Sequence, residues 1–360
     1  MRYDERDIPF SRMSYEPGTP VYDDYYLRNP HLKETDDALR AMPALCSPKT
    51  RTYEPLLAPM VDVAFIFLND IRHLAEGPPM RNEPLSVNTS EITAKIKGLA
   101  KYYGAKSVGI TPSKSDYFYS HRGRQPEIYG QPVESPEGSL IVFTVEMKKE
   151  HIFSAPLMPE VLAVTKGYME AAVAGMMLAY YIRLLGYEAR NHMDGNYLMV
   201  LPPVAQAAGL GQLGRHGLLV SPEFGSRVRL GAVSTNLPLD FDEPDDFNLH
   251  AFCDVCGKCA ATCLSKAIPK GSQTEVDGIL RWQVNHNACY AKWRALGTDC
   301  GVCLASCPFS DTLSPEDIAA LRKDANHADV LLKIHETKYR TRPVQTERED
   351  WMALPLRTSE

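Results

Sequence analysis

Apolar positions along the chain recur with two periods, and these mark off its elements. After Gly77-Pro78-Pro79 breaks the chain, Ile92, Ile96, Leu99 and Tyr103 fall at helical spacing behind Ser90, a residue able to cap a helix. Strand-like runs follow at 107–111 and 140–145, then a long helix over about 160–185, then a β-branched run at 227–235. The most apolar stretch, 171–182, is twelve residues long and ends at Arg183. That is short of the ~20 residues that cross a bilayer, so it reads as a core helix and no membrane span is expected. Helices and strands are mixed, which makes the fold class α/β or α+β. Residues 1–88 are rich in proline, tyrosine and charge, with one amphipathic patch at 61–75, and read as a wrapping region. A central domain over 89–244, a cysteine-rich domain over 245–325 and a charged surface tail over 326–360 complete the expected organisation.

The 360 residues suffice for two or three domains and a sizeable core. Eight of nine cysteines lie between Cys253 and Cys307, whereas a disulfide-stapled secreted chain scatters them more widely. The first run, Cys253-x2-Cys256-x2-Cys259-x3-Cys263, lets three thiolates close around one corner of an iron–sulfur cubane. The second sets Cys289, then ten intervening residues, then Cys300-x2-Cys303-x3-Cys307-Pro308. Paired C-x2-C also makes zinc sites, but four cysteines in eleven residues, then a second run, favour two four-iron clusters. The runs resemble bacterial two-cluster ferredoxins, where the last cysteine of each run ligates the other run's cluster. That resemblance implies one set of Cys253, Cys256, Cys259 and Cys307, and another of Cys263, Cys289, Cys300 and Cys303. Leu264 stands where the ferredoxin pattern has proline. Cys46 stands alone and reads as a buried, inert thiol.

A net charge of −6 and a pI near 6.0 provide no basic field for gathering phosphates, so a nucleic-acid substrate is not expected. The start, Met1-Arg-Tyr-Asp-Glu-Arg-Asp, carries neither an apolar signal core nor a twin-arginine motif, and a cytoplasmic location is expected. Between the long helix and the last strand, Gly209, Gly211, Gly214 and Gly217 allow a close approach of backbone to something. A bulky planar ligand fits that description, and so does a tight turn. The string Gly209-x-Gly211-x-x-Gly214 has no strand before it and is not a dinucleotide fingerprint.

The segment from Gly209 to Gly231, with Thr235-Asn-Leu-Pro-Leu239, resembles the cobalamin-binding core of reductive dehalogenases, and more distantly the epoxyqueuosine reductases. Ile182-Arg-Leu-Leu-Gly-Tyr187, Glu146-Met147 with Ala155-Pro156, and Cys300-Gly-Val-Cys-Leu-Ala-Ser-Cys-Pro-Phe309 extend the likeness over roughly 90–310. The resemblance implies a nitroreductase-like cobalamin-binding core with a ferredoxin-like domain carrying two [4Fe-4S] clusters. It also implies base-off cobalamin, an organohalide substrate, and an external ferredoxin or flavodoxin as electron donor. Gly209, Gly211, Leu213, Gly214, Arg215, His216 and Phe224 are the implied cobalamin contacts, with His216 a loop hydrogen-bonder more than a cobalt ligand. In this family a tyrosine assisted by Arg or Lys, with Ser or Thr four residues before it, donates the proton. Ser115 and Tyr119 fit that spacing, with Arg183 as the cation, Arg190 in reserve, and Tyr117 and Tyr129 as competitors. Lys148 suggests an anionic or phenolic substrate or a solvated charge. Asp194 lies where an epoxyqueuosine reductase carries its acidic donor, or simply forms an Asp-Gly turn. An epoxyqueuosine-reductase-like enzyme of tRNA modification is the alternative, disfavoured by charge and by the missing C-terminal helical repeats. A ferredoxin-like electron carrier is a second alternative, and it leaves the central domain unexplained.

Overall fold

The computed structural model describes residues 2–276 and 278–353. The proline- and tyrosine-rich region ahead of the core holds more helix than its weak periodicity suggests. Prolines open α1 (Pro9–Ser14), α2 (Pro20–Arg28) and α3 (Pro30–Ala41), where their fixed φ suits a first turn, and α4 (Ala58–Ile71) follows. Tyr15, Tyr22, Tyr25 and Tyr26 are buried together beside a buried Arg12–Asp36 ion pair at 3.1 Å, to which the Tyr26 hydroxyl donates at 2.9 Å. Arg12 also donates to Asn287 Oδ1 at 2.7 Å, and Phe10 meets Tyr290 edge-on, so this region is fastened to the cysteine-rich unit.

Helix α5 (Thr89–Tyr102) is capped by Asn88, whose side chain accepts the Glu91 N–H at 3.0 Å; Ser90 lies inside the first turn. After it come β1 (Val108–Pro112), β2 (Ser139–Glu146), α6 (Lys149–Phe153) and α7 (Met158–Leu184). Then follow β3 (Ala189–His192), α8 (Leu201–Ala207), a hairpin of β4 (Gln212–Leu213) and β5 (Leu219–Val220), and β6 (Val228–Thr235). An antiparallel sheet forms in the order β1-β2-β6-β3. Ile141, Phe143 and Val145 of β2 pack with Val233 against α5 and α7, while Leu140 and Val142 pack with Leu230 and Ala232 against α8 and the hairpin. Because both faces are covered, the strand reads as an unbroken apolar run with no alternation. Each such side chain removed from water contributes on the order of 2 kcal/mol.

Helix α7 is, among the described residues, the one helix long and apolar enough to cross a membrane; here it packs against the sheet and α4. Strand β3 is too short to match β6. It pairs only with residues 232–235, and beyond His192 the chain turns away over 193–198.

The cysteine-rich unit is built from α9 (Leu249–Cys256), α10 (Lys258–Thr262), the ribbon β7 (Thr274–Val276) and β8 (Ile279–Arg281), α11 (His286–Leu296) and α12 (Val302–Ala305). It does not end at residue 325. After α13 (Pro315–Lys323), α14 (Ala328–Lys338) buries Ala328 and Leu331 among Phe247, Phe252 and Phe309. Farther on, Arg348 pairs with Glu54, and Glu349 with Lys148 and His151, so the expected surface tail is docked over this length.

Candidate active site and cluster-binding segment

The thiols are positioned by left-handed turns between short helices. Gly257, at φ +57°, ends α9 behind Cys253 and Cys256 and redirects the chain into α10, which carries Cys259. Cys300 and Gly301, at φ +74° and +56°, make the same turn ahead of Cys303 on α12. Folding brings Cys307 beside Cys253, Cys256 and Cys259, and these four line one cavity with Arg215, His216, Phe252 and Phe309. Cys263 and Cys289 come instead to Cys300 and Cys303. All eight thiols are free, and burial pushes Cys256 up to about 12 and Cys300 up to about 11, so binding iron must displace their protons. Among the described residues no three Cys, His, Asp or Glu converge on one point as a single-ion site demands. Thiols ringed around a void suit a cubane. Cys46 is buried elsewhere, with burial raising its thiol to about 12.

The glycines of the loop stand against the protein's own chain, and Gly209 also lines an open cavity with Ala208, Leu210 and Glu243. A Cβ on Gly209 would lie 2.5 Å from the Glu243 carbonyl oxygen, one on Gly211 would strike the Val220 carbonyl, and one on Gly214 would lie 3.0 Å from Val220 Cγ2. These glycines admit the protein's own chain, and Leu213 is paired with Leu219 in the hairpin. Phe224 packs beneath the guanidinium of Arg227. The guanidinium of Arg215 turns to the cysteine unit, donating to the carbonyls of Cys253 at 2.8 Å and Gly271 at 2.6 Å. His216 is buried and held neutral, near pKa 4, by that burial; Nδ1 accepts the Leu218 N–H and Nε2 donates to Ser226 Oγ at 2.8 Å. No nitrogen lone pair is left for a metal.

The chemistry-bearing side chains converge instead where β3 falls short of β6. Tyr119, Arg124, Tyr168, Asp194, Tyr197 and Arg229 are deeply set yet retain accessible surface, as residues lining an interior cleft do. Arg124 holds Asp194 at 3.3 Å, and the guanidinium of Arg229 lies 4.1 Å over the ring of Tyr168. Burial drives the phenols of Tyr168 and Tyr197 up and takes Tyr119 up to about 12, with Glu5 adding to the rise and Arg124 opposing it. Beneath, Glu160 is fully buried beside Asp299; burial first and then Asp299 push its pKa well up. The N-terminal segment closes the Tyr119 side. Arg2 donates to the carbonyls of Phe118, Tyr119 and Val133, and Glu5 accepts the Gly123 N–H at 2.7 Å.

Several expected residues do not join this cleft. Arg183 is spent on the carbonyls of Ala179 and Leu74, both at 3.2 Å, and on the ring of Tyr180, so Arg124 takes its place beside Tyr119. Arg190 is tied to Glu76 and Asn196, Ser115 is exposed in a single turn, and Tyr129 donates to Asp24. Tyr117 packs beside the hairpin-side core, and Lys148 is exposed on Glu349. Arg124, Tyr168, Tyr197 and Arg229 were missed by sequence reasoning. Only Arg229 carries a local signal, a cation inside a β-branched run.

Residues 252–310 match the family model described as a 4Fe-4S dicluster domain. The chain is 33% identical over 264 residues to the tetrachloroethene reductive dehalogenase of Sulfurospirillum multivorans, covering 64% of this chain and 52% of that one. A shorter match, 32% over 112 residues, is to the epoxyqueuosine reductase of Lactococcus garvieae, covering 30% and 31%. Among solved structures, the catabolic reductive dehalogenase NpRdhA superposes with a TM-score of 0.75 at 21% identity, over 95% of this chain and 46% of that one. A reductive dehalogenase whose structure suggests a mechanism for B12-dependent dehalogenation gives 0.69 at 24% identity, over 85% and 46%. The chain thus spans about half the length of the curated relatives that it matches. In sequence it resembles reductive dehalogenases, and it shares their fold.

Proposed function

We propose that this protein is a corrinoid- and iron–sulfur-dependent reductive dehalogenase acting on an organohalide. The observation that carries the reading is the meeting, in one interior cleft, of Tyr119, Arg124, Tyr168, Asp194, Tyr197 and Arg229 beside eight free thiols arranged in two crossed sets. The reaction breaks a carbon–halogen bond and forms a carbon–hydrogen bond, consuming two electrons and one proton and releasing halide. When bound, a corrinoid would supply reduced cobalt for cleaving the carbon–halogen bond, and two [4Fe-4S] clusters, held by Cys253, Cys256, Cys259 and Cys307 and by Cys263, Cys289, Cys300 and Cys303, would supply electrons singly.

The chain's own part is to position substrate and deliver the proton. His192 and His216 have both ring nitrogens engaged within the protein, so neither offers the cobalt an imidazole. Tyr119 holds its proton at neutral pH as any phenol does, and burial, which raises its pKa to about 12, holds it more firmly. It can still protonate a carbanion, which is far more basic than phenolate, and Arg124 stabilises the phenolate left behind. Three tyrosine rings and two guanidiniums favour an aromatic halide bearing a hydroxyl or carboxylate. Electrons come from a separate ferredoxin- or flavodoxin-type donor.

The test is anaerobic reconstitution with iron, sulfide and cobalamin, followed by metal analysis, paramagnetic resonance and a halide-release screen. About eight irons and one base-off cobalt per chain, with halide release that Tyr119→Phe abolishes, is the expected result. Eight irons without retained corrin sinks the reading.

A further inference from the structure

The two thiol sets have different electrostatic surroundings. Beside Cys253, Cys256, Cys259 and Cys307 lies the guanidinium of Arg215, 3% exposed, stacked 4.7 Å over Trp282 and donating twice to the Cys253 carbonyl, at 2.8 and 3.1 Å. Its acidic neighbour, Asp254, is 3.9 Å away and turned to solvent. The ammonium of Lys258 is a second buried cation acting on Cys256, paired at 3.5 Å with the exposed Glu336. At the other set, Asp299 faces Cys289 and Cys300, and Glu160 faces Cys303, with Arg342 the cation acting near Cys300. A fixed positive charge in a poorly solvated site favours the more negative, reduced state of the cluster next to it, and charge is among the main controls of cluster potential.

We infer that Arg215 is a positioning residue for electron transfer: its buried charge raises the reduction potential of the cluster held by Cys253, Cys256, Cys259 and Cys307 above that of its neighbour. An arriving electron then rests on this cluster. Trp282 and the carbonyls of Cys253, Pro269 and Gly271 hold the guanidinium in place. Arginine suits the role because it stays charged when buried. The inference rests on the proposed pair of [4Fe-4S] clusters.

The experiment is a redox titration of the reconstituted full chain followed by paramagnetic resonance, comparing wild type, Arg215→Gln and Arg215→Lys. In Arg215→Gln one of the two cluster signals should move to lower potential, by the 59 mV of a tenfold change in its oxidised-to-reduced ratio or more, while the other stays. Arg215→Lys, which keeps the charge, should recover most of the shift. Equal displacement in both variants assigns Arg215 a structural role and overturns the inference, as do two unmoved potentials. A wild-type chain that binds fewer than two clusters defeats both this inference and the functional reading beneath it. If Arg215→Gln does not load iron, Trp282→Leu, which loosens the guanidinium without removing it, must lower the same potential by a smaller step; no shift there overturns the inference.

Discussion

Gly225 tests how the cleft domain is joined to the cysteine-rich unit. It sits at φ +58°, and a Cβ built on it would lie 2.5 Å from Ser310 N and closer still to the carbonyl group of Phe309, just past Cys307. Ordinary Cβ contacts begin about 1 Å farther out, and backbone cannot swing aside as a side-chain tip can. In Gly225→Ala the left-handed conformation costs about 1 kcal/mol and the displaced chain a further 1–3 kcal/mol, some 3 kcal/mol in all. The same displacement loosens the bond from Arg227 Nε to the Ser310 carbonyl, 2.7 Å long. At roughly 2–4 °C per kcal/mol for a unit of this size, the melting temperature should fall by roughly 6–12 °C, with iron lost at lower temperature. Anaerobic calorimetry of the iron-loaded chain with parallel iron analysis reads both. Gly98→Ala is the control: it lies in α5 with nothing within 4 Å, and should be neutral or up to about 1 kcal/mol stabilising. A Gly225→Ala protein that melts within about 2 °C of wild type and keeps its iron would refute the claim that backbone contact seats the cluster segment.

Three further outcomes follow from the cleft and its surroundings. Tyr119→Phe should lower kcat for halide release by about 10²–10⁴-fold with cluster content and melting temperature unchanged; a loss below tenfold moves the proton donor to Tyr197 or Tyr168. Arg124→Gln should cut kcat by about tenfold or more, whereas Arg183→Gln should cost about 1–3 kcal/mol of stability and leave kcat within twofold, because the Arg183 guanidinium is spent on carbonyls away from the cleft. Steady-state kinetics and thermal melts separate the two. His335 is buried, and burial first, then Lys258, lower its pKa to about 4, below an unfolded value near 6.5. The fold therefore prefers the neutral ring: the stabilisation is complete above pH 6.5 and is lost as pH falls toward 4, up to roughly 3 kcal/mol from this group. Melts of wild type and His335→Gln between pH 7 and 4.5 should converge as pH falls, and parallel curves would remove His335 from the account.

What the sequence made legible was local chemistry and strong periodicity. Runs 140–145 and 227–235 became β2 and β6, and the helix expected over about 160–185 became α7, because a core covered on both faces leaves long apolar runs. The N-terminal helices were hidden because they bury tyrosines and an Arg12–Asp36 pair, which lack an aliphatic stripe. The glycine run was legible as close approach but not as to what approaches. Only the fold reveals that the backbone of Glu243 and Val220 stands against Gly209 and Gly211. Side chains meeting across the cleft come from the 119–124 loop, the middle of α7, the 193–198 turn and the start of β6, which are far apart in the chain. Their meeting depends on β3 ending at His192 after only four residues, and this shortness has no signature in composition. Arg183 illustrates the consequence. Its position near the end of α7 made it a plausible partner for Tyr119, yet α7 carries it to the Leu74 and Ala179 carbonyls, and the nearby loop supplies Arg124 instead. A cation five residues along the same loop as the phenol it serves needs no register across a long helix. It can keep its place beside Tyr119 while the helix ends vary.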